Sequence, residues 1–193
     1  MKSSKEVIKN TMKTDHSYFR EKVNLRFNCL PNKKRINILE CFAGKGLLWD
    51  AVSIKTNKQL DITRIEKEKG KGDKPYLVGD NLKFLKILDL SKYDIIDLDA
   101  YGIPIAQLEI LFNSKYKGII IITYISSVFG CLPRKLLYSL GYTKLMINKI
   151  PTLFYKNPLG KILQYLSSKG VNKVFGYFYE VPSVKNYFYF YKC

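Results

Sequence analysis

Apolar residues in this chain come in short runs separated by polar, glycine-bearing stretches, and the runs alternate with segments of helical spacing. Ile36 to Leu39 reads as a clean strand. A turn containing Gly44 and Gly46 follows, then an apolar helical stretch from Leu47 to Ile54. Ile62 to Ile65 predicts a second strand and Tyr76 to Val78 a short third one. Asn81 to Leu90 places Leu82, Leu85 and Leu88 on one side of a helix. Tyr93 to Leu98 is a strand, Ile105 to Phe112 a helix, and Gly118 to Tyr124 a strand apolar on both faces. Strands alternating with helices predict an α/β fold, with a parallel sheet covered on both faces and right-handed crossovers.

The last third changes character. Helices fit Pro133 to Leu140 and Leu159 to Ser168. Two aromatic strands, Lys173 to Val181 and Asn186 to Lys192, are joined by the turn Pro182–Ser183–Val184–Lys185, so they should form an antiparallel hairpin. Residues 1–35 are charged with little periodicity and read as a basic N-terminal arm, or a short helix plus loop, ahead of a domain over 36–193.

With 193 residues, 47% of them hydrophobic, one domain can bury a core without disulfides or metals. The net charge of +17 changes the picture more. Such a surplus draws polyanions, nucleic acid first and anionic membranes second. Only five of the 33 basic residues are arginine, and Lys, Ile, Asn and Tyr abound, so the composition of an AT-rich genome is an open second explanation. Cys29, Cys41, Cys131 and Cys193 lack the spacing of a zinc site. The first 20 residues contain no apolar stretch, and the longest apolar run, Gly118 to Gly130, is too short to span a bilayer. The expectation is a cytoplasmic chain with reduced thiols, no metal and no membrane contact.

Candidate chemistry collects at the carboxyl ends of the expected strands, where ligands bind in such folds. The first strand runs into Glu40–Cys41–Phe42–Ala43–Gly44–Lys45–Gly46. This turn is too short for a Walker loop, and its acidic residue suits a ligand with an amino group and a sulfonium rather than a phosphate. Glu66 follows Gly46 by 20 residues, the distance of a ribose-holding carboxylate. Asp80, in Gly79–Asp80–Asn81, could accept from an adenine amino group or cap the next helix. The segment from Asp97 to Pro104 reads Asp–Leu–Asp–Ala–Tyr–Gly–Ile–Pro. Its two carboxylates on alternate strand positions need donors to offset their repulsion. His16, the only histidine, lies in the arm, which argues against a histidine-centred mechanism. Cys131 could serve as a nucleophile in a pyrimidine-C5 route, although a free cysteine is commonly a small buried apolar residue.

This series of strand ends resembles the layout of the class I S-adenosylmethionine-dependent methyltransferases over residues 36–193, including the hairpin that completes their Rossmann-like, seven-stranded sheet. The resemblance implies S-adenosylmethionine as cofactor. It implies Glu40, Phe42, Ala43, Gly44 and Gly46 around the methionine part, Glu66 at the ribose, Asp80 and Asn81 at the adenine, and Asp97 nearby. Asp97 to Pro104 is similar to the Asp–x–Asp–Pro–Phe/Tyr–Gly signature of the tRNA N2,N2-dimethylguanosine methyltransferases, with Ala100 in the place of proline. Pro133–Arg134–Lys135 after Cys131, Leu159 to Leu163, and Tyr187 to Phe190 extend that likeness. It implies a catalytic pocket of Asp97, Asp99 and Tyr101, acting on a nucleic-acid exocyclic amine, RNA before DNA and guanine N2 of tRNA in particular. Another nucleic-acid or protein substrate, or a binding module without turnover, are the competing readings.

Overall fold

In the computed structural model, which describes residues 18–69, 74–100, 102–125, 132–149, 158–178 and 185–193, the strand-forming runs join one seven-stranded sheet. Five strands are parallel: β1 (Arg35–Glu40), β2 (Gln59–Glu66), β3 (Leu77–Val78), β4 (Ile95–Leu98) and β5 (Gly118–Ile125). β6 (Val174–Phe178) and β7 (Lys185–Lys192) close it, in the order β3-β2-β1-β4-β5-β7-β6. β7 lies antiparallel to both β5 and β6, as the hairpin reading expects. The turn assigned to 182–185 falls mostly outside the described residues.

Among the described residues seven helices flank the sheet: α1 (Phe19–Asn28), α2 (Leu47–Lys55), α3 (Asn81–Ile87), α4 (Ile105–Asn113), α5 (Arg134–Ser139), α6 (Lys144–Lys149) and α7 (Pro158–Ser168). Successive strand residues point to opposite faces, so each strand feeds two cores. On one face Ile36, Ile38, Ile95, Ile119 and Ile121 pack under α1 and α2, against Val23, Leu25, Trp49 and Val52. On the other, Leu39, Ile96, Leu98, Ile120 and Ile122 pack with Leu108, Leu111, Leu136, Ile162 and Tyr165. Burial on both faces explains why β5 carries four consecutive isoleucines, Ile119 to Ile122.

Three elements differ from the periodic reading, the first being α6, which it did not contain. The helix expected over 81–90 ends at Ile87, because Asp89 turns its carboxylate onto the Ser91 N–H (3.2 Å) and starts a separate 3-10 turn at Leu90–Lys92. α1 has little apolar periodicity because Lys22 and Arg26, on its inner side, face carboxylates rather than a greasy core. Among the described residues no helix is long and apolar enough to cross a membrane.

Candidate active site

The sheet register brings the acidic strand ends together. Glu40 on β1 pairs with Arg64 on β2 and with Asp97 on β4, so the three side chains share the face covered by α1 and α2. Glu66 and Asp99 lie two residues further along the same face, and Thr123 and Tyr187 continue the row on β5 and β7.

The glycine turn is pinned to this row. Cys41 N–H donates to the Asp97 carbonyl (2.9 Å), Ala43 N–H to the Ile65 carbonyl (3.2 Å), and Gly46 N–H closes onto the Ala43 carbonyl (2.7 Å). Gly46 has φ +68° and sits so close to Arg64 that a Cβ would meet its Nε at 2.7 Å; both facts demand glycine. At Gly44, φ is +53° and the position of a Cβ opens onto free space with nothing within 4 Å. Glu66 holds this turn: Oε2 accepts from Gly44 N–H at 2.7 Å and Oε1 from Lys67 N–H at 2.9 Å. A carboxylate oxygen accepts more than one hydrogen bond, so Glu66 can still serve ligand hydroxyls. Ala43 is buried, and Phe42 packs half-buried on the opposite core.

Glu40 is the residue with unmet demand. Its Oε2 lies 3.2 Å from Arg64 Nε, yet neither buried atom has a hydrogen bond, because their alignment is poor. Arg64 instead directs Nη2 to Asp50 (3.0 Å), which Lys74 also pairs. Burial, then the Asp97 charge, pushes the Glu40 carboxyl up to about 8 against the opposing pull of Arg64 and Arg26.

Asp97 and Asp99 are met instead by the chain's own donors. Arg26 is fully buried and forks onto Asp97, Nε to Oδ2 at 2.7 Å and Nη2 to Oδ1 at 3.0 Å, while Trp49 Nε1 donates to Oδ2 at 2.8 Å. Lys22 Nζ donates to both oxygens of Asp99 at 3.1 Å, Thr123 Oγ1 donates to Oδ1, and Arg26 Nη2 lies 3.3 Å from Oδ2. Burial raises the Asp97 carboxyl against the Arg26 charge. Burial also works against the Asp99 anion, but Arg26, Lys22 and Thr123 outweigh it and hold Asp99 below its ordinary value. The Asp99 side chain keeps 12% exposure against 0% for Asp97, so Asp99 alone of the two reaches the mouth.

Sequence reasoning did not find Arg26, Lys22, Trp49, Thr123 or Arg64. One signal is present in the sequence: the single tryptophan, if buried, needs an acceptor for its N–H, and Asp97 and Asp99 are acceptors that need donors. The other candidates are placed as follows. Asp80 caps α3, accepting from Leu82 N–H at 2.9 Å. Asn81 donates to the Cys41 carbonyl (3.1 Å) and accepts from Gln107 (2.9 Å), tying α3 and α4 to the turn. Tyr101, Cys131, His16 and residues 70–73 of the lysine-rich, glycine-bearing stretch from Lys67 to Lys74 lie outside the described residues. Among the described residues no group of three or more His, Cys, Asp or Glu is placed to hold a metal ion.

Neither a protein-family model nor a curated protein matches the chain. Solved structures do. The plantazolicin methyltransferase BpumL in complex with SAH aligns at TM-score 0.52 and 16% identity, over 91% of this chain and 83% of that one. A SAM-dependent methyltransferase from Archaeoglobus fulgidus aligns at 0.52 and 15%, over 89% and 92%. Phosphoethanolamine N-methyltransferase 2 of Haemonchus contortus, with S-adenosyl-L-methionine, aligns at 0.51 and 12%, over 81% of this chain. The present chain spans 37% of the length of that last enzyme and 50% of another match, the CurJ carbon methyltransferase. At these identities the likeness is one of fold: the chain has the Rossmann-like fold of the class I methyltransferases.

Proposed function

We propose that the chain is an S-adenosylmethionine-dependent methyltransferase acting on an exocyclic amine of a nucleic-acid base, with guanine N2 of tRNA the acceptor suggested by Asp97 to Pro104. The observation that supports it most is the buried Glu40 Oε2, 3.2 Å from Arg64 but without a hydrogen bond, at a strand end that leads into the open turn at Gly44. A buried acceptor without a hydrogen bond is costly, and the cofactor's amino group is a donor whose charge favours the carboxylate form.

When bound, S-adenosylmethionine supplies an electrophilic methyl group on a sulfonium. Glu40 would take its amino group, the Phe42–Gly46 turn its methionine part and Glu66 its ribose hydroxyls. Asp80 and Asn81 would stand at the adenine. Asp97, fully buried and bound by Arg26 and Trp49, would position the β4 end. Asp99 is then the carboxylate for the acceptor amine. The amine would displace the Lys22 ammonium, which already holds the place of a cationic nitrogen between Asp99 and the Tyr187 ring, 5.2 Å from its centroid. A base amine has its lone pair drawn into the ring. Accepting its hydrogens localises that lone pair and aligns it for in-line transfer. Tyr101 would stack on the base, and the exposed Lys67 and Lys69 would draw phosphates.

Calorimetric titration with S-adenosylhomocysteine, followed by methylation of RNA and DNA pools with labelled cofactor and nucleoside analysis, tests the proposal. Binding plus labelled N2-methylguanosine is the expected result; no cofactor binding overturns it. A second reading, a nucleic-acid-binding module without turnover, is favoured by Ala100 and by the occupation of Asp99 by Lys22. It predicts nucleic-acid binding with no S-adenosylhomocysteine affinity.

A further inference from the structure

The terminal hairpin carries an aromatic surface that methyl transfer leaves unused. Phe175 on β6 pairs with Tyr189 on β7, and Tyr191 lies two residues further, so all three share one face. The Phe175 and Tyr189 rings stack with centroids 5.2 Å apart and planes 14° apart. Tyr191 stands edge-on to both, at 6.0 and 6.2 Å. Lys173 Nζ sits 4.8 Å from the Phe175 centroid.

Higher on the same face Tyr187 is buried beneath Tyr18 and Lys22. The helix α1 thus covers the end of the aromatic strip nearest Asp99 and leaves the other end open. Tyr191 is 51% exposed, Phe175 and Tyr189 are half-buried, and Lys173 is exposed with no ion pair among the described residues. β6 is the outermost strand, and exposed Lys117 precedes β5, whose Ile119 pairs with Tyr191. Rings between two exposed ammonium groups at a sheet edge are more than the core requires.

We propose that Lys173, Phe175, Tyr189 and Tyr191 form a stacking platform for a single-stranded segment of nucleic acid, flanking the base presented to Asp99. The inference rests on the nucleic-acid part of the proposed function and gives it a location. Charge selects the occupant. A second copy paired along β6 would set two chains of +17 against each other, whereas a polyanion meets opposite charge. The rings select the strandedness. A single strand offers open base faces to aromatic side chains and a phosphate track to lysines, and a duplex keeps its base faces stacked internally.

The test uses the full chain with a fluorescent oligouridine of about 12 nucleotides and a duplex of the same length, read by anisotropy. Tyr191→Ala removes an exposed ring, and a thermal melt checks that the fold is kept. Single-strand affinity should fall about 5- to 100-fold with duplex affinity unchanged. Lys173→Ala should lower the slope of log affinity against log salt by about 0.7, and Lys86→Ala, on α3, should leave the single-strand preference intact. Unchanged single-strand affinity in Tyr191→Ala, or a duplex bound as tightly as the single strand, overturns the platform. So does a dimer in sedimentation that Tyr191→Ala dissolves. S-adenosylhomocysteine calorimetry on the same proteins separates the two proposals. Normal cofactor binding with unchanged oligonucleotide binding removes the platform alone. Loss of oligonucleotide binding in a protein that never bound cofactor removes the methyl-transfer reading alone.

Discussion

At the end of β4, Asp97 and Asp99 receive a buried guanidinium, an indole N–H, an ammonium and a hydroxyl, all from the chain itself. One strand away, at the end of β1, Glu40 has an oxygen as deeply buried and no hydrogen-bond donor. The residues are chemically alike and neighbours in register. What separates them is the second layer. α1 and α2 lay their donors over β4, while the arginine nearest Glu40 turns toward Asp50. Asp97, met by internal donors and fully buried, holds the β4 end, while Glu40 keeps an unfilled hydrogen-bonding position. The Gly44 turn, open on its Cβ side, follows Glu40 directly and is tied to Glu66 on β2.

The contrast breaks most sharply at Arg26. Arg26→Met strands the Asp97 charge in the core and should cost about 3–5 kcal/mol, read from the denaturant midpoint, while Arg26→Met with Asp97→Leu should recover most of it. A loss below about 1 kcal/mol for the single variant would mean that the β4 end is solvated rather than sealed.

Asp99→Asn keeps size and one acceptor oxygen but removes charge. Turnover should fall about a hundredfold with little change in S-adenosylhomocysteine affinity. If melting temperature and cofactor affinity fall together instead, Asp99 belongs wholly to the scaffold with Asp97.

On the other side of the comparison, Glu66→Ala should weaken S-adenosylhomocysteine binding by about 1–3 kcal/mol in calorimetry, since it removes ligand acceptors and frees the Gly44 N–H. Unchanged affinity would move the cofactor away from β2.

The pH dependence of Glu40 sharpens the comparison from its other side. Its carboxyl is raised from 4.5 to about 8, so the folded chain holds a proton that the unfolded chain has released. Stability therefore falls as pH rises from about 4.5 to about 8, and Glu40→Gln should flatten that decline in pH-dependent melts. A ligand amino group needs the anion, so S-adenosylhomocysteine affinity should climb toward pH 8 with proton release on binding. Affinity independent of pH across that window would place the amino group elsewhere.

The strands and most helices were legible because they are local. Isoleucine runs mark a sheet buried on both faces, the 3.6-residue spacing marks α2 and α4, and a turn between two aromatic runs marks the hairpin. The glycine turn and acidic strand ends were equally legible, because chain direction alone puts strand ends on one rim of a parallel sheet. α1 was legible only as an arm or a short helix plus loop, because its inner face is written in charge, and charge reads as solvent until its partner is known.

The sequence by itself determined which residues form strands, where the turn falls and which carboxylates end the strands. Only the tertiary structure decided that Arg26 would meet Asp97, 71 residues away, and that Lys22 would reach Asp99 across 77, while Glu40 kept a bare oxygen. Periodicity reports the environment of a residue along its own element. Whether a buried charge is satisfied depends on donors that arrive from elsewhere in the chain, and no local pattern records their arrival.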